Sequence, residues 1–129
     1  MNRTIARYFD EVEARLIASP AVVTYRVSRR EVTPGDGKMR VKANLSDGGM
    51  AELFEYVIES GGQLVVHKYS FHWQDARENL VRRWDNAPHH PEMIHAPYHL
   101  HHSDESVVPT DGAMDMFQVI EEIEKSMAG

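Results

Sequence analysis

The sequence predicts a single α+β domain over residues 1–129: a mostly antiparallel sheet of about five or six strands built from hairpins, flanked by N- and C-terminal helices. Apolar residues recur every three or four positions at the two ends of the chain, which is the period of a half-buried helix. Between them the apolar residues alternate, and glycine-rich turns separate the alternating runs. The length of 129 residues suits one hydrophobic core and is short for two.

Composition narrows the classes. Apolar content of 42% and charged content of 26% are those of an ordinary globular chain, and no apolar run reaches the roughly 20 residues of a membrane span. The first sixteen residues are too charged for a signal-peptide core, and without cysteine there is no disulfide framework, so a cytoplasmic address is expected. A net charge of −6 argues against indiscriminate polyanion binding, yet the charge is uneven. Arg26, Arg29, Arg30, Lys38, Arg40 and Lys42 face only Glu31 and Asp36 in residues 25–44, whereas the tail after Ser103 is acidic.

In residues 2–18, Ile5, Phe9, Val12 and Leu16 form one helical face, and Ser19-Pro20 ends the helix because the residue before proline is pushed out of the helical region. Val23, Tyr25 and Val27 then alternate with polar residues up to the turn Pro34-Gly35-Asp36-Gly37. Met39, Val41, Ala43 and Leu45 alternate with Lys38, Arg40 and Lys42 beyond it. The two runs form a hairpin with its cations on one face, either solvated or held for phosphate contact. Residues 52–59, with Phe54, Tyr56 and Ile58 in one phase, are a strand joined through Ser60-Gly61-Gly62 to residues 64–74.

The run 64–74 is the longest. Val65, His67, Tyr69, Phe71 and Trp73 share one phase; Leu64, Val66, Lys68, Ser70, His72 and Gln74 share the other. The aromatic phase suits the core, and the second half of the polar phase has the composition of a site wall. After the polar turn at residues 75–79, residues 80–84 form a strand antiparallel to it, bringing Arg82 or Arg83 beside Lys68 and His72. Prolines then oppose regular structure, and residues 98–101 are at most a short edge strand. Thr110 or Asp111 is the expected cap of a last helix, whose buried face is Met116, Val119, Ile120, Ile123 and Met127.

Residues 68–102 hold every histidine except His67 and both tryptophans, a costly mixture to assemble for packing alone. Within them, Lys68-Tyr69-Ser70-Phe71-His72-Trp73-Gln74, then Arg83-Trp84-Asp85-Asn86-Ala87-Pro88-His89-His90, then Pro97-Tyr98-His99-Leu100-His101 resemble the TumE family of type II toxins. The chain departs from the family at Trp84, where tyrosine is usual, and at Pro97-Tyr98-His99, where Phe-Pro-His is common. The resemblance implies a growth-inhibiting protein neutralised by a cognate antitoxin, often a DNA-binding protein, and its biological role suggests action on RNA.

Cleavage of RNA without metal needs a base for the 2′-hydroxyl proton, an acid for the leaving oxygen and cations for the charge on phosphorus. His72 with His89 or His99 can supply the first two, since imidazole titrates near neutrality. Lys68 and Arg83 supply the cations, and Asp85 can orient a histidine. Arg26, Arg40 and Lys42 are candidate RNA contacts, and Trp73 or Tyr98 can stack on a base if exposed. No cofactor is expected. Two alternatives stand beside the ribonuclease: a non-catalytic binding module with structural histidines, and a metal-binding protein using His89, His90, His95, His99, His101 and His102, whose spacing matches no established zinc pattern. The oligomeric state is open, a homo-oligomer included.

Overall fold

The computed structural model describes residues 2–86, 99–103, 107–109 and 113–128, with His99 and residues 107–109 described by their backbone. The elements run α1 (Arg3–Ala18), β1 (Val22–Val32), β2 (Asp36–Leu45), β3 (Met50–Ser60), β4 (Gln63–Gln74), β5 (Leu80–Asp85), β6 (His99–His102), β7 (Val107–Pro109) and α2 (Met116–Ala128). The strands form one antiparallel sheet in sequence order, β1 to β7, so each pairs with its chain neighbour. This is the expected α+β meander; the seventh strand is the three-residue β7.

Both helices cover the same face. The Asn2 side chain caps α1 by accepting from the Ile5 amide at 3.0 Å, and Ile5, Phe9, Val12 and Leu16 are buried as the periodicity requires. The helix approaches β2 so closely that a Cβ on Gly37 would stand 2.6 Å from the Ile5 side chain. Helix α2 buries Met116, Val119, Ile120 and Ile123. Its cap is Asp115, which accepts from the Gln118 amide at 2.8 Å while Gln118 Oε1 accepts from the Asp115 amide at 2.9 Å. The expected caps Thr110 and Asp111 lie outside the described residues. Arg15 of α1 and Glu124 of α2 pair in a two-point contact, and Ser19 donates to Glu124 at 2.7 Å.

Two expectations change, and the buried phase of one strand is fixed. Strand β4 does not keep one phase: a bulge at His67 lies between the pairs Tyr56↔Lys68 and Val57↔Val66. The extra residue reverses the alternation, so Leu64 and Val66 pack on the core with Tyr69, Phe71 and Trp73, and Val65 is left 54% exposed. In β3 the buried phase is Ala51, Leu53, Glu55 and Val57, which turns Phe54, Tyr56 and Ile58 to the other face. Strand β6 is no edge; it pairs with β5 on one side and β7 on the other. Among the described residues, no helix is long and apolar enough to cross a membrane.

Candidate functional site

Paired residues of an antiparallel sheet share a face, so the register fixes what lies on the side away from the helices. One row there runs Arg40, Phe54, Ser70, Asp85 across β2 to β5. The next row runs Arg26, Lys42, Glu52, His72, Arg83, His101 from β1 to β6, and a third joins Lys38, Tyr56 and Lys68. Among the described residues no helix covers these rows.

The side chains converge at the β4–β6 end. Arg83 Nη2 donates to Ser70 Oγ at 3.0 Å, and Arg83 Nε stands 3.4 Å from Asp85 Oδ2. His101 Nε2 meets the same Asp85 oxygen at 2.9 Å. The Asp85 side chain is only 3% exposed, and a carboxylate taken that far from water must be paired; Arg83 and His101 pair it. Arg83 itself is 41% exposed, so the guanidinium is reachable from solvent while its partner lies beneath it. His72, opposite Arg83 in register, turns its Nε2 to Gln74 Oε1 at 3.0 Å.

Asn86 holds the end of this site in place. Its Oδ1 accepts from the Tyr69 amide and its Nδ2 donates to the His67 carbonyl, both at 3.0 Å, so the side chain continues the pairing of β4 where β5 stops. Its position directly after the strand was the available signal.

Of the residues expected from the sequence, Arg83 and Asp85 come together, with His72 and Lys68 on the same face and Arg26, Arg40 and Lys42 at its other end. Arg83, not Arg82, is the arginine beside His72; Arg82 points to the helices, where it pairs with Glu122 at 3.5 Å and lies over Trp73. Trp73 is 3% exposed in the core and is corrected from a base-stacking candidate to a packing residue. His89 and Tyr98 lie outside the described residues. The His99 backbone lies opposite Asp85 in β6. The imidazole that meets Asp85 is His101, a pairing visible only once the β5–β6 register is known. Of the metal candidates, His89, His90 and His95 lie outside the described residues, and His101 and His102 occupy opposite faces. Among the described residues, no group of three histidines or carboxylates stands close enough to hold a metal ion.

The fold and site define a small α+β protein that carries a polar, arginine-centred cluster on the sheet face away from its helices. Its sequence matches the family model described as Toxin TumE over residues 10–127, and the chain belongs to that family. Family membership makes it a toxin-like protein and implies a cognate antitoxin. No curated protein and no solved structure matches the chain.

Proposed function

We propose that the sheet face away from the helices binds RNA and cleaves it at the Arg83–Asp85–His101 cluster. The observation that carries this reading is one buried carboxylate oriented onto an imidazole and a solvent-reachable guanidinium at once. Asp85 fixes the His101 ring at 2.9 Å, and an imidazole can give or take a proton near neutral pH. The second proton-transfer group comes from His72, His89 or His99. In the reaction, the base removes the 2′-hydroxyl proton, the 2′-oxygen attacks phosphorus, and the 5′-oxygen leaves with a proton from the acid. Arg83 and Lys68 offset the charge that builds on the phosphoryl oxygens. Arg26, Arg40 and Lys42 hold the rest of the strand.

The test incubates purified protein with a panel of RNAs, with and without chelator. Cleavage that survives chelation and disappears in Arg83→Ala and His101→Ala is the expected outcome; an intact panel with folded wild-type protein sinks the reading. A non-catalytic binding surface is the second reading, favoured by how fully Arg83, Ser70, Asp85 and His101 occupy one another. It predicts graded loss of growth inhibition across these variants in place of an abrupt loss.

A further inference from the structure

The outward aromatics of β3 are the feature that the cleavage chemistry does not use. Alternation could have buried Phe54, Tyr56 and Ile58 and exposed Glu55; the structure does the reverse, placing Glu55 at 0% exposure and leaving the rings on the face without helices. Both rings are only half-buried there, and the arrangement seats a carboxylate in the core, which is costly unless it is hydrogen-bonded. A place where local sequence preference is overridden at such cost is where function is expected.

Each ring carries a cation. The Arg40 guanidinium lies 4.6 Å from the Phe54 ring centre, drawn across by its 3.0 Å pair with Glu52. The Lys38 ammonium lies 5.5 Å from the Tyr56 ring, whose hydroxyl is fixed by Asp36 at 2.8 Å. The two rings stand on one strand in one phase, about 7 Å apart along it. Phe54 is also register partner to Ser70, which accepts from Arg83. The platform is therefore continuous with the cluster, about two strand spacings, or 10 Å, from Asp85.

We propose that Phe54, with Tyr56 beside it, is a base-stacking platform that selects unpaired RNA and leads the strand to Arg83. This rests on the RNA reading above. The chemistry favours a single strand: unstacked bases present π-faces to a ring, whereas a duplex keeps them inside and offers this surface only phosphates. Arg40 and Lys38 serve both parts of such a ligand, lying against the rings and attracting the backbone. The stacking role expected of Trp73 passes to these residues, which face the open side.

The experiment measures binding of the full chain to a labelled unstructured RNA oligonucleotide and to a duplex of equal length, for wild type, Phe54→Leu, Tyr56→Leu and Arg83→Ala. Leucine keeps apolar bulk and removes the ring, and circular dichroism of each variant confirms folding. Wild type should prefer the single strand, and Phe54→Leu should lose about tenfold in single-strand affinity, the scale of one stacked base, with duplex binding unchanged. Equal single-strand binding by folded Phe54→Leu, or equal wild-type affinity for duplex, overturns the platform. If that happens while Arg83→Ala still abolishes cleavage, the RNA reading stands without it. Wild type that binds neither RNA sinks both.

Discussion

The sheet carries a buried carboxylate on each face, and the two are treated differently. Glu55, under the helices, has no cation beside it among the described residues: Tyr8 donates its hydroxyl at 2.7 Å and the Met116 amide at the start of α2 donates at 2.7 Å. Burial pushes its carboxyl up to about 7 against the pull of those two donors, and raises the Tyr8 phenol as well. Asp85, on the open face, is held by an arginine and a histidine within reach of solvent. Glu55 fastens α1, β3 and α2 together. Asp85 holds two polar side chains together where solvent can reach them. Two equally buried carboxylates therefore differ in their partners and in the access of those partners to solvent, which is the contrast on which the proposed site rests.

Substitutions should separate the faces by what they change. The largest effect is expected at the open face: His101→Ala should lower RNA cleavage by a factor of about 10² to 10⁴ in a protein that still folds, with a lowered denaturation midpoint because the buried Asp85 loses a partner. Cleavage retained at the wild-type rate, or a collapse of fold, would erase the contrast. On the covered face, Phe71→Ala should cost about 4 kcal/mol of stability, read by chemical denaturation, because the ring is fully buried.

Glu55→Gln addresses pH. The folded carboxyl binds its proton more tightly than the unfolded one, so the native state holds an extra proton between the ordinary value of 4.5 and about 7. Stability from this group is full below that window and is lost as pH rises through it, by about 3 kcal/mol at order of magnitude. Urea unfolding at pH 5 and pH 8 should show the decline in wild type and a flatter profile in Glu55→Gln. The smallest effect is in the β4–β5 turn, where Glu78 has a φ of 67°. Replacing it with glycine should gain up to about 1 kcal/mol and leave both faces unaltered, as measured by melting and cleavage together.

Much of the fold was legible in the sequence. The buried faces of α1 and α2 follow their periodicity, and the hairpins follow the turns at Pro34-Gly35 and Gly61-Gly62, where the last two glycines adopt φ of 59° and 82°. What escaped depended on long-range pairing. The bulge at His67 leaves no trace in an alternation that reads unbroken through Val65, His67 and Tyr69, and only the pairing with β3 displaces it. His101 stood beside His99 and His102 as one of several equivalent imidazoles until the β5–β6 register put it over Asp85. The inward phase of β3 was hidden because both phases are apolar and the inward one contains Glu55 while the aromatics face out. Arg83 and Asp85 were legible because two residues of separation on a strand put them on one face whatever the register.

The meander also sets an order of assembly. Each strand pairs with the one made just before it, so the sheet can extend hairpin by hairpin as the chain leaves the ribosome, without waiting for a distant partner. Helix α2 is the exception: its amide reaches back 61 positions to Glu55, and its Glu124 reaches back to α1. The covered face is thus sealed after the sheet, by a helix that follows all the strands in the chain, and a chain interrupted before residue 116 would have the strands of the Arg83 cluster but only half of the roof on the opposite side.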